Sequence, residues 1–194
     1  MKQIIKPINY LLIAGICILA ACKNNTTSEK IKSAVDTMSA KVQNAVDTAK
    51  ARYDQSKDAD FVKDVSKANA SELHLLALGI QKGGKDVKAS AHHMQADHKK
   101  LGEEMSAYAA KNNIKVDIDS SNLRSNMDDD KAGIDWDKNW VNKMVDDHEK
   151  TVKKFEDNQN DVKDPELKAL IGKTLPTLHM HLDMAKQLQA KMNK

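Results

Sequence analysis

From Lys57 onward, apolar residues return every three to four positions in four long stretches, and that spacing predicts four amphipathic helices. The first, over about 58–82, sets Phe61, Val65, Ala68, Leu75, Leu76 and Gly79 on one side and is broken by Gly83-Gly84-Lys85-Asp86. The second, over about 86–111, carries Val87, Ala91, Met94, His98, Leu101 and Met105. The third is expected to open at Asp135 as its N-cap and carries Trp136, Trp140, Met144, His148, Val152 and Phe155 to about 160. The fourth begins at Asp164-Pro165, a capping residue followed by a proline at the first helical position, and runs to the C-terminus. Pro176 lies inside it, removes one backbone donor and is expected to bend it locally.

The helices pair as two hairpins separated by the long polar stretch 112–134. At roughly 3.3 Å per extended residue, that stretch can travel the length of a helix of about 25 residues, near 37 Å, so a crossover connection is open to it. The expected fold class is all-α: a four-helix bundle of the ferritin-like type over residues 58–194.

Upstream the pattern thins. Ala34-Val35-Asp36-Thr37 returns eleven residues later as Ala45-Val46-Asp47-Thr48. Eleven residues is close to three helical turns, so the repeat holds a thin stripe of Val and Ala along a nearly straight helix. The stripe reads as too weak for firm membrane insertion, and a spacer stalk is expected within residues 22–57, after a short flexible linker at 23–30.

The first residues change the picture again. Lys2 and Lys6 precede an apolar run ending in Leu19-Ala20-Ala21-Cys22. The run falls short of the roughly 20 residues a spanning helix needs, and its flanks are those of a secretory signal. The Leu-Ala-Ala-Cys end resembles a bacterial lipobox, which implies cleavage after residue 21, lipid on Cys22 and a membrane anchored through that lipid. Losing two lysines and no acid lowers the formal net charge from +3 to +1. Without a basic cluster the chain lacks the footprint of a nucleic-acid binder. Cys17 falls in the signal and Cys22 carries lipid, so any metal must be held by nitrogen and oxygen donors.

Chemistry gathers on the apolar stripes. His98 shares its face with Met94, Leu101 and Met105, and His148 with Met144, Thr151 and Phe155; both lie in a Met-x-x-Asp-His stretch. Glu72 lies among Ala68, Leu75 and Leu76. On the fourth helix both His179 and His181 have apolar neighbours, and spacing does not choose between them. These residues stand at comparable heights along their helices, near the middle of the bundle. Four buried ionisable groups must satisfy one another, hold water or bind a cation. Three imidazoles and one carboxylate suit zinc, iron or copper. No Glu-x-x-His occurs, which argues against carboxylate-bridged di-iron chemistry. Asp97 and Asp147, each one residue before a histidine, are expected at the surface or in interhelical hydrogen bonds, and Met94 and Met144 as core filler.

The segments from Asp58 to His98, from Trp136 to Glu156 and from Leu175 to Ala185 resemble the bacterial family called domain of unknown function 4142. The features that match are Phe61, Glu72, Asp97-His98, His148 and Leu175-Pro176 followed by His181; Trp136-Asp137 and Trp140 stand where the family commonly has Phe-Asp and Tyr. The resemblance implies a ferritin-like bundle in the outer membrane or periplasm and favours His181 as the inward residue. It assigns no activity.

Two function classes follow. One is a lipid-anchored envelope protein, on the outer membrane facing the periplasm, that binds a transition metal or a small polar ligand through Glu72, His98, His148 and His181. The other is a non-catalytic structural or interaction module for envelope maintenance or stress tolerance, in which those residues form only a hydrogen-bonded layer. An enzyme is not indicated: the chain has no nucleophile elbow and no phosphate-binding glycine loop. No protein partner is suggested.

Overall fold

A computed structural model of the chain describes residues 25–119, 123, 127 and 132–193. Four helices are present among them: α1, Asn25–Lys82; α2, Lys85–Lys111; α3, Ile134–Gln159; and α4, Pro165–Met192. The segment with the expected signal and Cys22 lies outside the described residues. Among the described residues no helix is long and apolar enough to cross a membrane.

The chain divides into two compact units, residues 1–46 and 47–194. The first holds the N-terminal part of α1. The helical conformation begins at Asn25, inside the stretch expected to be flexible, and the two helices expected on either side of residue 57 are one continuous helix. No proline or glycine occurs between Asn25 and Gly79, so nothing in the backbone chemistry stops the helix there.

The second unit is the four-helix bundle, and cross-helix contacts give its direction of winding. Between α1 and α3, the Phe61 and Phe155 rings meet at 5.4 Å, Lys154 pairs with Asp64, and Trp140 Nε1 donates to the Leu75 carbonyl at 2.9 Å. Rising numbers on α1 meet falling numbers on α3, so the two run antiparallel. Between α2 and α4, Asp86 pairs with Lys191, Glu104 with Lys173 and Lys111 with Glu166, again antiparallel. Gln189 on α4 donates to Asn142 on α3, and Lys186 pairs with Glu149. The ring order is therefore α1–α2–α4–α3, with α2 and α3 pointing the same way. The segment after Lys111 is thus a crossover running the length of the bundle, the ferritin-like alternative to simple up-and-down winding. Ile114, Val116 and Met127 of this segment pack partly buried on the core, which its polar composition concealed.

Details of the elements follow from their ends. Asp164 caps α4, accepting from the backbone N–H groups of Glu166 and Leu167 at 2.9 Å each, with Pro165 at the start. The helix continues through Pro176 to Met192. At α3 the expected cap is displaced: Gly133, at φ 108°, holds the N-cap position and Asp135 falls in the first turn, where its charge favours the helix dipole. Asp137 in that turn instead accepts the Gly84 N–H with both carboxylate oxygens at 3.1 Å, tying the α1–α2 turn to α3.

Candidate metal centre

Around mid-bundle each helix contributes one residue that an apolar layer would otherwise exclude. Glu72 on α1, His98 on α2, His148 on α3 and His181 on α4 are all buried, the last two to 1% exposure. The three imidazole centroids form a triangle with sides of 5.4 Å (His98–His148), 5.3 Å (His98–His181) and 5.6 Å (His148–His181). One ring nitrogen of each lies within 4.8 Å of one from each of the others. His179, the other choice on α4, is half-exposed and faces Glu156 at 3.3 Å. His92 and His93 are exposed, though the His93 ring comes within 6.5 Å of the His181 ring.

One nitrogen of each ring is held by a hydrogen bond, to α1 for His98, within α3 itself for His148 and to α2 for His181, and those partners fix the tautomers. Asn69 Nδ2 donates to the His98 carbonyl at 2.9 Å, so the other end of that amide, Oδ1, can only accept; it lies 2.9 Å from His98 Nδ1, which therefore carries the proton. His148 Nδ1 donates to the Met144 carbonyl at 2.9 Å. His181 Nε2 donates to the Asp97 carboxylate at 3.0 Å. What remains is one lone-pair nitrogen per ring: His98 Nε2, His148 Nε2 and His181 Nδ1. Each is buried, and none has a hydrogen-bond partner among the described residues.

Burial keeps the rings neutral. It lowers His148 to about 4, helped by the proximity of His181, and lowers His98 well below the usual histidine range, with His148 and His181 adding to the effect. His181 is lowered by burial too, against the opposing pull of Asp97. Glu72 Oε1 lies 3.3 Å from His148 Nδ1, on the outer side of that ring, so the carboxyl stands beside the triad and the three histidines form the close group. Burial, aided by the charge of Asp147 and opposed by that of Lys143, pushes Glu72 up to about 8. At neutral pH the pair is a protonated acid beside a neutral base.

Asn69 is the residue that the sequence reading missed. Ala68, placed on the stripe, is exposed; Asn69 takes the buried position instead, three residues before Glu72. A small residue on the facing helix makes room for it: a Cβ on Gly102 would stand 2.9 Å from Asn69 Nδ2. Gly102 lies one turn beyond His98, and an asparagine three positions from a core glutamate was the available signal. Asp97, expected at the surface or in an interhelical bond, makes such a bond to His181, and Asp147 pairs with Lys143.

Three neutral imidazoles with converging lone pairs and hydrogen-bonded outer nitrogens match the donor set and supporting shell of nitrogen-ligated transition-metal sites. Four-coordinate zinc held by three protein ligands keeps a position for water or a further donor.

The sequence profile described as Domain of unknown function (DUF4142) matches residues 43–188, and the chain belongs to that family. Comparison with curated proteins gives no match. Among solved structures, a crystal structure of a DUF305 fragment from Deinococcus radiodurans is similar at 14% identity and a TM-score of 0.60, over 69% of this chain and 95% of that one. This likeness concerns the helical fold.

Proposed function

We propose that the bundle binds one transition-metal ion through His98, His148 and His181, with Glu72, beside the triad, as the charge that balances the ion. The observation that carries this reading is the set of three buried ring nitrogens without partners. A merely hydrogen-bonded layer is less favourable, because all three facing nitrogens are acceptors and cannot bond to one another. Turning any ring to supply a proton would abandon Asn69, Met144 or Asp97. Without thiolates the donors suit zinc, iron or copper.

The wider setting is an envelope lipoprotein held by lipid on Cys22, on the outer membrane facing the periplasm. Its support is the basic start, the apolar run and Leu19-Ala20-Ala21-Cys22. Replacing Cys22 by Ser is expected to move the protein out of the lipid-modified fraction, and unchanged lipid labelling refutes the assignment.

Elemental analysis of protein purified without a metal-binding tag, beside a His98→Ala/His148→Ala double variant, tests the site. About one ion per chain, lost in the variant, is the expected result. A folded wild type that stays metal-free and resists loading sinks the proposal.

A further inference from the structure

The N-terminal unit carries a surface that the metal centre does not use. Ile31, Val35, Met38, Val42 and Val46 follow one another at helical spacing on α1, and each is 55–66% exposed. They make a continuous apolar stripe about 22 Å long. An exposed stripe of this kind marks an interaction surface.

Its charges indicate what it meets. At about 100° per residue, Lys30 and Lys41 lie on one shoulder of the stripe and Lys32 on the other, about 80–120° from its midline. Glu29 and Asp36 both lie behind Lys32, at about 140° and 120° on that side, and neither acid lies on the Lys30 and Lys41 shoulder. Apolar contact bordered on both sides by lysines, with acids set back, suits an anionic lipid surface: long lysine stems extend alongside the stripe while their ammonium groups reach the headgroups. A second copy fits less well: in an in-register parallel pair the Lys30 and Lys41 shoulder of one helix faces the Lys32 shoulder of the other, so lysines border the seam on both sides. In the sequence the arrangement recurs in part eleven residues on, with Val35 returning as Val46 and Lys41-Val42 as Arg52-Tyr53, while Lys32 and Met38 return as Gln43 and Ala49.

We propose that this face of α1, residues 30–46, lies on the surface of an anionic bilayer. The contact is interfacial and not an insertion, which reconciles it with the modest size of the side chains. It is a property of the helix face, separate from any lipid on Cys22.

The test uses the full chain with Cys17 and Cys22 changed to Ser and a single fluorophore at Met38→Cys or Ala40→Cys, reconstituted in phosphatidylcholine vesicles with or without phosphatidylglycerol. With phosphatidylglycerol, the label at 38 is expected to be quenched by brominated acyl chains and shielded from iodide, while the label at 40, on the far side of the helix, behaves in the opposite way. Lys30→Glu/Lys32→Glu/Lys41→Glu, with circular dichroism unchanged, should lose the acyl-chain quenching at 38, as should high salt. Equal iodide access at 38 and 40 in the anionic vesicles overturns the proposal. So does energy transfer between labels at 38 that is independent of lipid charge, because it identifies a second copy as the occupant.

Discussion

Asn69 grips His98 at two points, its amide nitrogen on the backbone carbonyl and its amide oxygen on ring Nδ1, both at 2.9 Å. One side chain on α1 thereby fixes the position, rotamer and tautomer of a histidine on α2. The inward Nε2 is presented as a lone pair because Asn69 holds the proton on the opposite side.

Replacing Asn69 by Ala frees the ring to rotate and to take the other tautomer. Metal affinity is expected to fall by about 10–100-fold, the usual effect of losing an outer-shell partner. Stability should fall by about 1–3 kcal/mol, since two buried polar groups lose their partner. Gly102→Ala should reproduce the affinity loss with Asn69 intact, by crowding its amide. Metal titration of both variants beside the wild type is the check; unchanged affinity in both would mean His98 is oriented by packing alone.

Asp97 plays the corresponding part for His181 but from the surface, where its side chain is 41% exposed. Loss of this partner should therefore separate affinity from stability. Asp97→Ala is expected to weaken metal binding by about 10-fold or more while changing the metal-free melt by less than about 1 kcal/mol, because water reaching the exposed Asp97 position replaces the carboxylate as acceptor for His181 Nε2. A drop of several kcal/mol in the metal-free protein would instead make Asp97 a structural residue.

The fold was legible where one local signal decided an element. Apolar periodicity placed α2 and α4 to within a residue or two, and Asp164-Pro165 marked the start of α4 because side-chain capping and proline geometry act over a single turn. The crossover was left open by chain length and was decided by pairings such as Asp86–Lys191, which no local pattern contains. At the site, the three histidines could be found because a polar residue on an apolar face is conspicuous. Asn69 could not, since its neighbour Ala68 satisfied the same periodicity, and the choice between them depends on Gly102, 33 positions away in the sequence. His181 over His179 likewise needed the family resemblance or the structure.

Trp140 tests packing away from the metal. Its indole covers Gly79, where a Cβ would come within 2.8 Å of the ring, and donates to the Leu75 carbonyl. Gly79→Ala should add about 1 kcal/mol through helix propensity but lose about 1–3 kcal/mol through overpacking. The overpacking is expected to win, because the ring is also pinned by its hydrogen bond. Urea unfolding of the metal-free variant decides it, and a stabilised variant would show that Trp140 shifts at little cost.

The buried acid and the buried bases act in opposite directions on stability, and the pH at which they cross can be stated. Glu72 has its folded-state value raised to about 8 from 4.5, so the folded protein binds the extra proton; the associated stability is full below about 4.5 and is lost as pH rises through 8. His148, lowered from 6.5 to about 4, binds its proton first in the unfolded chain, so stability is lost as pH falls from 6.5 towards 4, and His98 and His181 act in the same sense. Between about 4.5 and 6.5 the three histidines outweigh the single acid; between 6.5 and 8 only Glu72 changes its charge. The metal-free protein should therefore be most stable near pH 6.5 and lose on the order of a few kcal/mol by pH 9. Glu72→Gln, which cannot ionise, should flatten that alkaline limb and leave the acid limb in place. Thermal melts from pH 4 to 9 in the presence of a chelator measure both limbs. An alkaline decline of the same size in the Gln variant would show that Glu72 is not the group that ionises there, and would remove it as the charge held in reserve for a cation.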